Sequence, residues 1–202
     1  MKQVNVAVLV SGGGTNLQAL IDAQGKVIKN GKISLVISNN ANAYALQRAK
    51  NADIKTAVVL KKEFATQRDF EEKLISILRE NDIDLIVLAG FMSILSEYFT
   101  STYKDRIINV HPSLIPSFCG KGFYGLKVHE EALKYGVKVT GATVHFVNEI
   151  PDGGKIIMQK AVKIRKGDTP EILQKRVMVQ AEWKILPAST ELVCKNILKE
   201  KN

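Results

Sequence analysis

The sequence predicts an α/β fold in which a mainly parallel sheet lies between two layers of helices and finishes in an antiparallel C-terminal portion. Three observations carry this prediction. Short β-branched runs alternate with segments of helical periodicity over the first half of the chain, the signature of repeated strand–helix–strand units. The run Asp84 to Ala89 is continuously apolar after its first residue, as a central parallel strand covered on both faces must be. The last third instead sets two long strand-like runs around a turn-rich connection, which reads as a hairpin or an antiparallel edge.

Taken in order, Val4 to Val10 reads as a buried strand and is followed by the glycine turn Gly12-Gly13-Gly14. A helix is expected from about Asn16, with Leu17, Leu20 and Ile21 on its inner face. Ile33 to Ser38 is a second strand, Ala43 to Asn51 a second helix and Lys55 to Leu60 a third strand. Gln67 to Asn81 carries Phe70, Leu74, Ile77 and Leu78 at spacings of three and four, which defines an amphipathic helix. Asp84 to Ala89 and Arg106 to Val110 supply further strands. Gly12, Gly90 and His111 thus each fall just after a strand, and ligands of such sheets sit beyond the carboxyl ends of the strands. Val137 to Val147 and Lys155 to Ile164 form the hairpin-like pair. Asp168-Thr169-Pro170-Glu171 combines a cap, a first-turn proline and an early acid, and so starts a helix. That helix is expected to run towards Leu198 with a kink near Pro187.

A chain of 202 residues is long enough for one substantial core, and a single domain over 1–202 is expected. Its 46% hydrophobic and 24% charged residues match an ordinary soluble globular protein. The longest apolar stretch, Ile86 to Leu95, is about half of what a membrane-spanning helix requires, and the N-terminus lacks a signal-peptide layout. The two cysteines, Cys119 and Cys194, are far apart and show no metal spacing, which points to a reduced, cytoplasmic chain. The net charge of +9 comes from lysines scattered in ones and twos, with no basic block and no aromatic ladder for stacking bases. It reads as a solvated basic surface, suited to drawing in anionic small molecules, and not as a nucleic-acid interface.

Three motifs carry possible chemistry. In VLVSGGGTNLQAL, residues 8 to 20, a glycine turn between strand and helix lets backbone N–H groups hold an anion at the helix N-terminus. Leu17 stands where a dinucleotide fingerprint needs its third glycine, and no Gly-Lys-Ser/Thr follows, so neither nucleotide motif is present. A plain tight turn explains the glycines equally well, although Thr15 and Asn16 add polar side chains at the helix start. In Ile108 to Pro116, Asn109 and His111 are two residues apart on an extended strand and project to one face. An amide there can donate to an oxyanion while the imidazole moves a proton. In Asn148 to Gly154, Asp152 precedes two glycines that allow a tight turn and close ligand approach. Taken alone, a strand-end histidine and a turn aspartate are ordinary structural residues. His145, in T-V-H-F-V, reads as a core or supporting histidine, and His129 as a surface or capping residue. The three histidines have no metal-ligand spacing, and no serine lies in a G-x-S-x-G elbow.

Together these segments resemble phosphoribosylglycinamide formyltransferases, enzymes that use 10-formyltetrahydrofolate in purine synthesis. The matching landmarks are SGGGTNLQAL, ISNNANAYAL, DLIVLAGFMSILS, INVHPSLIPSF, GATVHFVNEIPDGGKII and QAEWKILP, from residue 11 to about 187. HPSLIP alone marks the broader formyltransferase superfamily, while SGGGTN points to the glycinamide ribonucleotide enzymes. The resemblance implies the Rossmann-like, three-layer formyltransferase fold. It also implies that Gly14, Thr15, Asn16 and Glu182 bind the ribonucleotide. Arg68, the segment Met92-Ser93-Ile94-Leu95, Asn109, Val147 and Asp152 would contact the folate. Asn109, His111 and Asp152 would be catalytic: the first two stabilise the tetrahedral oxyanion and Asp152 keeps His111 charged. The 10-formyltetrahydrofolate is then a co-substrate, and no metal is required.

This sequence departs from the family pattern in three places. Ser93 replaces a common arginine, Gln67 occupies the ungapped position of an arginine for which Arg68 is the neighbouring candidate, and 117–125 replaces a shorter P-G-containing loop. The glycines of that last stretch suggest mobility. Three other readings fit part of the pattern. A 10-formyltetrahydrofolate hydrolase usually adds an N-terminal regulatory domain, and a methionyl-tRNA formyltransferase a C-terminal tRNA-binding domain. A non-catalytic phosphate-binding module would keep the glycine turn without needing Asn109, His111 and Asp152. The implied partners are the two small-molecule substrates, with no nucleic acid and no membrane, and the chain is a monomer or a homodimer.

Overall fold

In the computed structural model, which describes residues 3–201, seven strands form one sheet in the order β3-β2-β1-β4-β5-β6-β7. The strands are β1 (Val4–Val10), β2 (Gly31–Ser38), β3 (Lys55–Val58), β4 (Leu85–Leu88), β5 (Ile107–His111), β6 (Val139–Phe146) and β7 (Ile156–Lys163). The first five are mutually parallel, and β6 and β7 run antiparallel to their neighbours. The helices are α1 (Thr15–Ala23), α2 (Tyr44–Asn51), α3 (Gln67–Glu80), α4 (Glu97–Thr102), α5 (Leu126–Tyr135), α6 (Pro170–Val177) and α7 (Trp183–Glu200). The expected α/β architecture, with its antiparallel C-terminal portion, is the observed one.

The alternation of side chains along each strand explains the three layers. Val4, Val6, Val8 and Val10 of β1, with Leu85 and Val87 of β4, pack on α1, α2, α6 and α7. Ala7 and Leu9, with Ile86 and Leu88, face the opposite way onto Phe70, Leu74 and Leu78 of α3 and Phe99 of α4. A central parallel strand therefore needs apolar residues at every position. Helix α3 starts where the sequence signals it. Thr66 accepts from the Asp69 N–H at 3.1 Å, while the Asp69 carboxylate accepts from the Thr66 N–H, also at 3.1 Å.

After β3 the chain passes through α3 to the other side of β1, so the strand order reverses between β1 and β4. The crevice at the carboxyl ends of these strands is the natural ligand site of such a sheet. The glycine turn follows β1 there, and Gly90 follows β4. His111 is the last residue of β5 and does not fall beyond it, so the strand itself fixes its direction.

The C-terminal helix departs from expectation. Thr169 caps α6, accepting from the Ile172 N–H at 3.3 Å, with Pro170 next, as the sequence signals. The interruption lies not at Pro187 but at Met178–Glu182, a π-helical stretch, and Pro187 sits inside α7. Among the described residues, no helix is long and apolar enough to cross a membrane.

Candidate active site

Asn109 and His111 share the face of β5 that also carries Ile107, and β6 lies against them in antiparallel register. Asn109 is opposite His145, and His111 is opposite Thr143. Thr143 does local work: its hydroxyl donates to the Ser113 carbonyl at 2.7 Å and accepts from the Ile115 N–H at 3.1 Å. The loop after His111 is thereby tied to β6. Asp152 reaches the same place from the turn between β6 and β7, where its backbone φ is +58°. Gly154, two residues later, passes so close to β6 that a Cβ there would lie 1.7 Å from the Phe146 carbonyl oxygen.

The four polar side chains form one cluster. His111 Nδ1 lies 3.5 Å from Asp152 Oδ2, and His145 Nε2 lies 3.5 Å from Asp152 Oδ1. The Asn109 amide is 3.2 Å from His145 Nε2, and His145 Nδ1 is 2.8 Å from the Phe146 carbonyl. A carbonyl can only accept, so Nδ1 of His145 carries a proton. In the neutral ring Nε2 then accepts from the Asn109 NH2, which fixes the direction of that amide. Two main-chain groups of the next loop complete the cluster. The Phe118 carbonyl accepts from His111 Nε2 at 2.9 Å, and the Gly120 N–H donates to Asp152 Oδ2 at 2.8 Å.

Electrostatics refine one expectation. Burial pulls His111 below the ordinary imidazole value and outweighs the opposing pull of Asp152 and of the Phe118 carbonyl, with the charge of His145 adding to the depression. Burial therefore biases His111 towards its neutral form, while the Asp152 carboxylate pulls it towards the charged one. Asp152 lies below the usual carboxylate range: desolvation opposes this, but hydrogen bonds from His145 and Gly120 and the charge of His111 prevail.

The cluster opens into a cavity of about 470 Å³, walled on one side by Gly90 to Ile94 and on the other by Gly120 to Gly125. A smaller adjoining cavity of about 130 Å³ is lined by Ser93, Ile94, Leu95, Asn109, His145 and the turn Val147 to Asp152. The 92–96 segment is braced from three directions. Its Met92 N–H donates to Ser11 Oγ at 2.8 Å, Ser93 Oγ accepts from Asn39 at 2.8 Å, and the Ile94 carbonyl accepts from Gln67 at 3.2 Å. Arg68 behaves differently from its neighbour. Its guanidinium is exposed, pairs with Glu72 at 2.7 Å and stacks on the Tyr98 ring, and it lines neither cavity. Gln67 lines neither cavity either, but its amide holds the Ile94 carbonyl of the cavity wall.

The glycine turn forms a second polar site on the same edge. Gly14 caps α1 in a left-handed conformation with φ +72°, and a Cβ there would lie 2.6 Å from that of Ala45. No side chain caps α1 and no acid occupies its first turn, so its positive end is uncompensated. The Asn16 NH2 donates to Glu182 at 2.7 Å, which joins α1 to the π-helical turn. Glu182 is buried, and this raises its carboxyl to about 7 despite the Asn16 hydrogen bond. Arg48 supports the turn from below, with Nε donating to the Gly13 carbonyl at 2.8 Å.

The structure thus brings Asn109, His111 and Asp152 together, sets Met92 to Leu95 and Val147 beside them, and pairs Asn16 with Glu182 near Gly14 and Thr15. Sequence reasoning missed the main-chain groups of Phe118 and Gly120, because no residue type marks a carbonyl or an N–H. His145 reads from the sequence as a core or supporting histidine, and the supporting role is the one its contacts with Asn109 and Asp152 fit. His129, expected at the surface, is fully buried on α5 and feels the charge of His111. Among the described residues, no group of three His, Cys, Asp or Glu side chains is arranged to hold a metal ion.

Comparison with known proteins agrees with this geometry. The model of the formyl transferase family matches residues 4–190. The chain is 43% identical to the phosphoribosylglycinamide formyltransferase of Haemophilus influenzae, over 90% of this chain and 83% of that one. It is 45% identical to the human trifunctional purine biosynthetic protein adenosine-3 over 95% of its own length, but spans 18% of that protein. Its fold matches the crystal structure of glycinamide ribonucleotide transformylase 1 from Symbiobacterium toebii with a TM-score of 0.89 and 36% identity, covering 96% of this chain and 89% of the other. This chain belongs to the formyl transferase family, among its phosphoribosylglycinamide formyltransferases.

Proposed function

We infer that this chain transfers the formyl group of 10-formyltetrahydrofolate to the amine of 5-phosphoribosylglycinamide in de novo purine synthesis. The observation that carries the reading is the convergence of Asn109, His111 and Asp152 on one cavity, on the same sheet edge as an uncompensated helix N-terminus. Relatives of matching length are named for this transfer.

In this reading the phosphate of the ribonucleotide lies against Gly14, Thr15 and Asn16, and Glu182 contacts the substrate further along. The pterin of the folate lies in the smaller cavity, against Met92 to Leu95 and the turn from Val147 to Asp152. Gln67 takes the supporting position there in place of Arg68. Much of the acceleration comes from holding the two reactants in contact, which can supply several kcal/mol.

The substrate amine is mostly protonated near neutral pH and must lose a proton before it attacks. His111, biased by burial towards its neutral form, takes that proton, and Asp152 stabilises the imidazolium that forms. The amine nitrogen then bonds to the formyl carbon, and the carbonyl electrons move to its oxygen. The Asn109 amide donates a hydrogen bond to that oxyanion, and the positive charge of His111 beside it stabilises it further. On collapse the bond from the formyl carbon to N10 breaks, His111 returns its proton to N10, and the second proton, shed by the former amine nitrogen as it becomes an amide, leaves to solvent. A reducing, cytoplasmic setting is proposed from Cys119 and Cys194, both free thiols.

The test is release of tetrahydrofolate from 10-formyltetrahydrofolate with and without the ribonucleotide. Release that requires the ribonucleotide and gives its N-formyl product supports the transferase. Release of free formate without it would identify a hydrolase instead, and no release in either case would refute both.

A further inference from the structure

Phe118 is the group nearest the reaction that no sequence motif explains. Its carbonyl oxygen sits 2.9 Å from His111 Nε2, and a carbonyl accepts hydrogen bonds but never donates them. Nε2 therefore carries a proton in both the neutral and the charged ring. In the neutral ring Nδ1 is then bare, and it faces Asp152 Oδ2 at 3.5 Å. A bare nitrogen opposite a carboxylate oxygen is two acceptors face to face, and a proton placed on Nδ1 turns that repulsion into an ion pair. The hydrogen bond at one imidazole nitrogen decides what the other does.

We propose that Phe118 is a positioning residue for formyl transfer: its main-chain carbonyl holds the proton on Nε2 of His111, so that Nδ1, on the Asp152 side, takes up and returns the transferred proton. This rests on the reading of the site given above. Asp152 is held by the same short segment, since the Gly120 N–H donates to the oxygen that faces Nδ1. One strap of three residues, Phe118 to Gly120, therefore sets both partners of the proton-bearing pair.

The Phe118 side chain explains how the strap keeps its place. Its backbone lies in the left-handed region, at φ +50°, which costs a non-glycine residue energy and needs outside support. Its ring packs edge-on against Tyr135 of α5, with centroids 5.9 Å apart, and against Phe123, 6.4 Å away. Helix α5 thus anchors the carbonyl. The titratable groups around His111 are Asp152 from the turn after β6, His145 on β6 and His129 on α5.

The test uses the full chain with 15N-labelled histidine, and His111→Gln to assign the signal. At pH values where His111 is neutral, its spectrum should show the proton on Nε2. Phe118→Ala should mix the two tautomers, shift the acid limb of the kcat profile and lower kcat roughly ten- to a hundredfold, with both KM values nearly unchanged. Phe118→Tyr, which keeps the ring, should restore all three. Should Phe118→Ala fail to fold, Tyr135→Ala loosens the same strap from an exposed position and should show the same changes in weaker form. A wild-type His111 protonated on Nδ1, or loosened variants with unchanged tautomer and pH profile, would overturn the proposal. Those outcomes in a chain that still transfers formyl sink the positioning role alone. A wild type that transfers no formyl sinks the reading of the site beneath it.

Discussion

His129 offers the clearest separation between folding and catalysis. It is fully buried on α5, and neither ring nitrogen has a hydrogen-bond partner in the protein. Burial foremost, and then the charge of His111, take it from 6.5 to about 4. Between these values the unfolded chain binds the proton and the folded chain does not. Stability therefore falls as the pH drops through 6.5, and the dependence flattens below about 4. At about 1.4 kcal/mol per unit, the group costs about 2 kcal/mol at pH ~5 and about 3 kcal/mol at pH ~4, relative to pH ~8. His129→Leu cannot titrate, and whatever its packing costs is independent of pH. Urea unfolding of both proteins from pH ~5 to ~8 isolates the term: the stability difference between them should change by about 2 kcal/mol, near 1 M in relative midpoint. Parallel curves across that range would show that His129 is solvated or partnered in solution, and the argument would fail.

Three further outcomes follow from the site. Asp152→Asn removes the charge that favours the imidazolium, so kcat should fall roughly a hundredfold or more and His111 should titrate lower still, both readable from the pH–rate profile. Gly14→Ala puts a Cβ 2.6 Å from that of Ala45 at a φ of +72°; thermal melting should show a loss of at least ~1 kcal/mol, and KM for the ribonucleotide should rise while KM for the folate holds. Glu182 is raised from 4.5 to about 7, so the folded chain keeps its proton where the unfolded chain has lost it. Its stabilisation is full below 4.5 and is lost as the pH rises towards 7. Glu182→Gln, which can still accept from Asn16, should gain about 3 kcal/mol relative to wild type between pH ~4 and ~8; an unchanged pH slope would contradict the burial argument.

The fold was legible because its information is local and repeated. Val6, Val8 and Val10 face one helical layer while Ala7 and Leu9 face the other, and that double coverage is written as the unbroken apolar run Val6 to Val10. Thr169 and Pro170 mark a helix start through side chains that are visible in the sequence. The site was legible where chemistry resides in side chains at short spacing, as with Asn109 and His111. It was not legible where it depends on register or on the main chain. His145 becomes a partner of Asn109 only through the pairing of β6 with β5, and Phe118 acts through a carbonyl that every residue possesses. Pro187 misled because α7 runs through it, and the interruption falls upstream at the π-helical turn.

The opposite displacements of His111 and Glu182 have one cause and suggest one logic. Both groups are buried, and burial disfavours whichever form is charged, so the histidine is drawn towards its neutral form and the carboxyl upwards. Burial thus biases both groups against carrying charge, whereas Asp152 is held ionised by His145, His111 and Gly120. In the proposed reaction the charges arrive with the substrates: the phosphate at the N-terminus of α1 and the proton on the amine. A site that had fixed its own proton on His111 would have to lose it before the amine could become a nucleophile. One that keeps His111 neutral, beside a carboxylate ready to stabilise its charged form, accepts the proton from the amine and retains it for the leaving nitrogen. Burial and Asp152 therefore act in sequence, the first making His111 a base and the second making the resulting acid last long enough to be used.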